Sequence, residues 1–482
     1  MRHQLLKTYD RMDIVDLHGD ADRREVTPSG ERDENVFEIK RGVAILFARK
    51  LLEPQGRQSD VTRADYLGSR SYKYSVLRRN TLSATPRIEI TPRPDRYQLV
   101  LLDSAREDEY ENGISVSALF RLRATGIETG KDAVLVAFSK EELKARMEDF
   151  GNLAASDSQI RERYGVEAGC GRKIADLRRT ILSDPEFDSR IRPFTFAPFD
   201  ERFVLYRTDL LNVHSDSVSR HLLDGGNLAF LAMRQVSISR GFSHVFVTRN
   251  VTNNRAFYST RGKVYMMPLA VCAGGGVLTA AASESNLDEP LARRLSSIDG
   301  IEDAGRLSDE DLLAFTYAQM HSSAYRTRYN LPLRGDYPHV FPARTVELQR
   351  SLCRLGWQLI TLHLLERPGG GPGSLARASE SVLRVDKVRF EAGEVLLDSS
   401  GAAGFENVPE EVWNFEIGGY QVCHKWLKDR KGRTLSEDDI AHYQMIIVAL
   451  SETIRFMQEI DEVIDEYGGW PGAFVTAEKE NA

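Results

Sequence analysis

Apolar positions recur with different periods in different parts of the chain. In residues 1–50, Leu5, Leu6 and Tyr9 suit a short helix, and Met12 to Leu17 and Val43 to Ala48 are short apolar strands. The polar run from Gly19 to Asp33 between them reads as a loop. A region this small cannot close a core alone, so it reads as the tail of a larger α/β domain. Strand-like runs follow at Ile88 to Ile90, Tyr97 to Leu102 and Ala133 to Phe138, before a charged helix from Lys140 to Phe150. Strands are again expected at Arg202 to Tyr206, Leu228 to Met233 and His244 to Val247.

Three later segments carry helical periodicity. Ser308 and Asp311 form a capping-box pattern ahead of Leu312, Leu313, Phe315, Tyr317 and Met320. Arg344 to Leu365 is amphipathic and runs into a Gly- and Pro-rich loop. A last helix starts after Ser436, with Asp439 completing a second box. Tyr443, Ile446, Ile447, Leu450, Ile454 and Met457 mark its buried stripe, and Gly468-Gly469-Trp470-Pro471 ends it. The mixture of short strands and helices predicts a mixed α/β fold.

At 482 residues the chain exceeds one ordinary core, and 41% hydrophobic with 28% charged residues is a globular balance. No apolar run is long enough for a membrane helix, and the N-terminus lacks the apolar stretch of a secretory signal. The four cysteines are scattered and read as reduced thiols, so a cytoplasmic protein without membrane contact is expected. The net charge of −7 leaves nucleic-acid binding open, because binding depends on local positive surfaces.

Several catalytic patterns fail on inspection. Gly126 to Gly130, followed by Lys131 and Asp132, has one residue too few for a phosphate loop and an acid where Ser or Thr is needed, so it reads as a turn. Gly169-Cys170-Gly171 follows a charged helical stretch rather than a buried strand, the wrong context for a methyl-donor loop. Asp33 with Glu38 and Lys40 imitates the carboxylates and lysine of a metal-dependent nuclease, but so short a pattern arises easily by chance. No Pro-Pro dipeptide exists, so the Asn/Asp-Pro-Pro-aromatic motif that holds a flipped adenine is missing. No catalytic residue and no metal site is assigned.

A recognition-like surface remains. Arg234, Gln235, Arg240, His244, Arg249, Asn250, Asn253, Asn254 and Arg255 supply the side chains that read guanine and adenine edges in the major groove. On composition alone, a polar loop between strands is the simpler account of these residues. The basic run from Lys425 through Lys428, Arg430 and Lys431 to Arg433 offers contacts to phosphates, or else a solvated turn.

Longer motifs add a family. Val408 to Tyr420, with Trp413, Gly418 and Gly419, and then Lys425 to Arg433 closely resemble the C-terminal specificity domain of Type ISP restriction–modification enzymes. The resemblance continues at Asp438 to Tyr443, His321 to Tyr329, Gly226 to Val247, Gly126 to Asp132 and Ser83 to Thr85. Asp16 to Gly19, Asp33 to Phe37 and Gly42 to Ile45 resemble the close of the same family's methyltransferase domain. One departure is Phe196-Ala197-Pro198-Phe199-Asp200, where Ala197 stands in place of the family's arginine.

The resemblance implies the end of a Rossmann-like methyltransferase sheet at 1–50 and a β-rich connecting region at 51–190. A target-recognition region at 191–345 and a helical part of the specificity domain at 346–482 follow. It implies a sequence-specific reader of double-stranded DNA for an adenine-N6 methyltransferase. No cofactor is expected for this chain, and S-adenosylmethionine is expected for the complete enzyme. A separate methyltransferase or nuclease polypeptide that restores activity is the first alternative, and an inactive remnant the second.

Overall fold

Strand β1 (Arg11–Asp16) places Met12 and Ile14 on one face and Val15 on the other, and both faces are covered. It pairs antiparallel with β2 (Ala44–Arg49) and parallel with β3 (Asp60–Asp65), which pairs antiparallel with β4 (Ile88–Ile90). The sheet order is β2-β1-β3-β4. Helix α1 (Arg2–Thr8) supplies Leu6 to the core that Met12, Ile14, Val61 and Ile90 form. Asp13 is fully buried, and Arg49, Thr62 and Arg87 donate to its carboxylate at 2.6 to 2.7 Å. A buried charge is tolerated only when paired in this way.

The computed structural model describes every residue except 22–24, 28, 52–58, 93–96, 98, 101–103, 153, 166–173, 237–240, 273–282, 299–300, 302–304, 367–376, 379–382, 402 and 477–482. Residues 1–108 form one compact unit, and residues 109–237 with 241–482 form a second. The fold is mixed α/β, as the sequence pattern predicts. Gly169, Cys170 and Gly171 lie outside the described residues.

Helix α2 (Arg70–Arg79) starts on a Ser69 cap and buries Lys73. The Lys73 ammonium donates to Asp33 at 2.8 Å and to the carbonyls of Leu17 and Glu34 at 2.7 and 2.6 Å. This occupies the Asp33 carboxylate, while Glu38 points outward with 92% of its side chain exposed. The nuclease-like carboxylate pair therefore does not assemble.

Two of the four-stranded sheets of the second unit frame its N-terminal part. Strands β5 (Ala124–Thr125), β6 (Val136–Ala137), β7 (Ile191–Ala197), β8 (Asp200–Leu205), β9 (Ala229–Met233), β10 (Val245–Thr248), β11 (Val251–Thr252) and β12 (Val264–Pro268) give the orders β10-β9-β12-β5 and β11-β7-β8-β6. Every residue of β9 and β10 is buried, which explains their unbroken apolar runs. The strand expected over Ala133 to Phe138 is instead a helical turn, Asp132–Leu135, followed by the two residues of β6. The Lys131 carbonyl accepts from the amides of Val134 and Leu135 and closes that turn. Of the strand expected over Tyr97 to Leu102, the described residues Tyr97, Leu99 and Val100 are irregular. Tyr97 has φ +49°, which breaks an extended path.

The long helices match their expected positions. Helix α3 (Lys140–Gly151) packs Leu143, Met147 and Phe150 into a core with Ala137 of β6, Ile191 of β7 and Leu205 of β8. Helix α4 (Asp309–His321) is buried on all sides from Leu312 onward. It meets α5 (Val346–His363) where an added Cβ on Gly356 would lie 1.9 Å from the Ala314 carbonyl. Helix α6 (Val422–Lys428) is short, and α7 (Glu437–Glu466) begins with the capping box of Ser436 and Asp439. No helix among the described residues is long and apolar enough to cross a membrane.

Candidate functional site

Strand β11 runs parallel beside β7, and the chain then turns through Asn253, Asn254 and Arg255. The Asn253 carboxamide oxygen accepts from the Arg255 amide at 2.9 Å, a local turn that asparagine forms readily. The Asn253 and Asn254 amides donate to the carbonyls of Thr195 and Ile127, which fixes this turn between two strands. Gly126 permits the approach, since a Cβ there would sit 2.5 Å from the Thr252 carbonyl. The segment read from the sequence as a turn, Gly126 to Asp132, thereby becomes one wall of a cleft.

The opposite wall comes from far along the chain. Gly418 has φ +60° and lies against Phe257, where a Cβ would approach the ring to 2.2 Å. Its amide donates to the Ser243 carbonyl at 2.8 Å, and its carbonyl accepts from the Tyr258 amide at 2.6 Å. These contacts dock the Gly418-Gly419-Tyr420 motif onto the 243–258 segment. Tyr420 and the following helix α6, with Lys425, then face Asn253 and Arg255.

The resulting cleft has a volume of about 370 Å³ and is lined by Glu128, Asp132, Phe194, Phe196, Asn253, Asn254, Arg255, Tyr420 and Lys425, among others. The Lys425 ammonium lies 5.6 Å from the Phe196 ring centre and 5.2 Å from that of Tyr420, and it donates to Asp429. Arg202 stacks 3.6 Å over Phe196 and is tied to Asp200 and Asp429 at 2.6 and 2.8 Å. Ala197, the departure from the family pattern, also lines this cleft. Asn254 is fully buried, its amide nitrogen donates to Glu128 at 2.8 Å, and its carboxamide oxygen has no donor among the described residues. Arginine and asparagine side chains read guanine and adenine edges, and Glu128 or Asp132 accept from an amino group such as that of cytosine. Aromatic faces hold flat groups and cations alike.

The remaining candidate residues are distributed unevenly. Arg234 and Gln235 are exposed, and the Arg234 guanidinium lies 5.9 Å from the Tyr337 ring centre. Arg249 is half-buried and paired with Glu366. His244 and Asn250 are interior. The His244 ring bonds to the Tyr258 carbonyl at 3.0 Å, and Asn250 donates to Glu201 at 2.6 Å. Burial pushes the His244 pKa down to about 4, against a small opposing pull from the Tyr258 carbonyl. Arg430 is interior too, stacked 3.4 Å over Trp426 and 3.2 Å from Asp200. Arg433 pairs with Glu142 at 3.1 Å, whereas Lys428 and Lys431 are exposed and meet no carboxylate among the described residues. Arg240 lies outside the described residues.

Composition alone misses Glu128, Phe196 and Tyr420 as cleft residues, because none of them stands out without its neighbours. One further cluster, in the first unit, joins Asp16, His18 and Asp65, with ligand-type atoms within 4.8 Å. Arg63 donates to both carboxylates at 2.6 and 2.7 Å and already supplies the counter-charge.

Comparison with known families decides the relationship. Residues 118–459 match the Type ISP C-terminal specificity domain. The chain belongs to that family. A comparison with curated proteins gives no match. Three solved structures are similar to this specificity-domain chain. One is a nuclease-deletion mutant of the Type ISP restriction–modification enzyme LlaGI in complex with a DNA substrate mimic. Its TM-score is 0.65 and its identity 15%, over 95% of this chain and 37% of that one. The second is the ATP-dependent Type ISP enzyme LlaBIII bound to DNA (TM-score 0.67, 17% identity, 96% of this chain and 31% of that one). The third is a DrdV–DNA complex (TM-score 0.67, 18% identity, 95% and 48%). At these identities the likeness establishes the fold. The Type ISP specificity-domain chain spans less than half the length of each solved protein.

Proposed function

We propose that this chain reads sequence in duplex DNA on behalf of a restriction–modification enzyme. The observation that carries the reading is the cleft between Asn253-Asn254-Arg255 and Tyr420-Lys425, which combines base-reading side chains with cations and aromatic faces. That the three similar solved proteins are complexes with DNA or a DNA mimic supports DNA as the ligand. Adenine-N6 methylation with S-adenosylmethionine belongs, on this reading, to the complete enzyme. The missing Pro-Pro dipeptide supports a reading role rather than a methyl-transferring role for these residues.

The test selects bound duplexes from a random pool and then measures affinity for the selected and scrambled sequences. Asn253→Ala with Arg255→Ala is expected to lower affinity for the selected sequence by about 1 to 3 kcal/mol for each base contact removed, and to relax specificity. Equal binding to selected and scrambled duplexes by the unaltered chain would sink the reading.

A second reading is that a separate methyltransferase or nuclease polypeptide completes the enzyme. Edge strand β2 favours it, because Leu46 and Phe47 on it are 43% and 41% exposed.

A further inference from the structure

A second cleft, of about 400 Å³, is lined by four arginines, Arg190, Arg192, Arg207 and Arg220, together with Tyr206 and two aspartates. Two of the arginines are committed. Arg190 pairs with Asp184 at 2.8 Å, and Arg207 pairs with Asp184 and Asp209 at 2.8 and 3.0 Å. Asp216 accepts from the Tyr206 hydroxyl at 2.9 Å. Arg192 and Arg220 differ. Neither meets a carboxylate among the described residues, and the Arg220 guanidinium reaches only the His221 ring, at 3.4 Å. Two uncommitted guanidiniums, held by separate elements around one cleft, leave a local positive charge that no carboxylate among the described residues neutralises.

Their position relative to the first cleft gives that charge a meaning. Arg192 lies on β7, and side chains alternate faces along a strand, so Arg192 shares a face with Phe194, which precedes the register shift between Thr195 and Ala197. Phe194 lines the first cleft, and Arg192 lines the second. At a rise of about 3.3 Å per residue, Arg192 and Phe194 are ~7 Å apart along β7. One DNA strand advances about 3.4 Å per nucleotide, so this separation equals about two nucleotides. An extended polyanion lying across the first cleft therefore reaches the second within a few phosphates.

We infer that Arg192 and Arg220 grip the phosphodiester backbone of duplex DNA a few nucleotides from the bases read at the Asn253–Lys425 cleft. Guanidinium forks suit phosphate oxygens because they donate two parallel hydrogen bonds. This grip carries no sequence information. It sets affinity and register, and the first cleft supplies the choice of base. The inference rests on the DNA-reading function proposed above.

The experiment measures duplex binding by the full chain across a salt series, with selected and scrambled sequences. For Arg192→Gln with Arg220→Gln, affinity is expected to fall about tenfold, equally for both sequences. The slope of log affinity against log salt is expected to fall by about 0.9 for each phosphate that is no longer neutralised. Arg192→Lys with Arg220→Lys keeps the charge and is expected to keep the slope, with a smaller reduction in affinity. Both arginines sit at a cleft surface, and an unchanged melting temperature in each single Gln variant checks that folding is intact. Unaltered affinity and slope in the Gln pair overturn this inference while leaving the DNA-reading function in place. So does a reduction confined to the selected sequence, which would make the arginines base readers. No duplex binding by the unaltered chain at low salt overturns both.

Discussion

His244 and Arg255 stand eleven positions apart and do opposite work. His244 is 1% exposed, and its ring is fixed by the Tyr258 carbonyl beside the phenylalanines 242 and 257. It is held neutral, with a pKa lowered to about 4 by burial, so protons bind more readily to the unfolded chain as pH falls below about 6.5. Stability is therefore expected to be intact above pH 6.5 and to be lost between pH 6.5 and about 4, with His244 contributing up to about 3 kcal/mol. Denaturant titrations at several pH values read this, and His244→Asn should flatten part of the acid limb. An identical acid limb in that variant would place the titrating group elsewhere. Arg255 is exposed, and among the described residues its guanidinium reaches only the Ser259 and Gly262 carbonyls at 3.2 and 3.1 Å. Several of its donors stay available to a ligand, so removing it is expected to cost binding and specificity rather than folding.

At the scale of elements, the second unit depends on close approach of backbones. Helices α4 and α5 cross at Gly356, where even a methyl group would collide with the Ala314 carbonyl. Backbone atoms cannot rotate aside as a side chain can, so the helices must separate or tilt. Gly356→Val is expected to destabilise the second unit by more than about 3 kcal/mol, at the upper end of overpacking effects. Thermal unfolding measures it, and a shift no larger than that of a surface substitution would contradict this crossing. The same principle operates in the cleft, where Gly126 lets its backbone approach that of Thr252 to Asn254, and Gly418 leaves room for the Phe257 ring. Helix boundaries needed no tertiary information, since Ser308 and Ser436 accept from the amides three residues on, as their capping patterns predict.

At the scale of the molecule, the two compact units answer to different titrations. In the first, His18 Nε2 lies 2.8 Å from Asp65 across the parallel pair of β1 and β3. Partial burial lowers the His18 pKa, but the carboxylates of Asp65 and Glu25 outweigh it and hold the value up at about 9. A raised folded pKa stabilises fully below the unfolded value of 6.5, and the contribution disappears as pH rises through about 9. Because His18 is partly solvated, the contribution is about 1 kcal/mol after screening. Hydrogen exchange at β1 and β3 amides is expected to accelerate between pH 6.5 and 9 beyond the intrinsic rate. His18→Gln should abolish that excess and leave β9 unaffected. An excess that persists in the variant would exclude His18 as its source.

The sequence by itself determined the mixed α/β class, the three long helices, the caps of two of them at Ser308 and Ser436, the strands near Met12 to Leu17, Ile88 to Ile90 and Arg202 to Tyr206, and the family. Each of these rests on local periodicity, turn chemistry or an unbroken motif, and such signals survive without knowledge of what packs where. Only the tertiary structure decided which polar residues line the cleft. Asn250, Asn253 and Asn254 are alike in sequence, yet Asn250 is committed to Glu201 while Asn253 and Asn254 line the cleft. Lys425 and Arg430 belong to one basic run, yet one faces aromatic rings at the cleft and the other is buried on Trp426. Exposure depends on packing between residues more than a hundred positions apart, such as Gly418 with Phe257, and no local pattern encodes it.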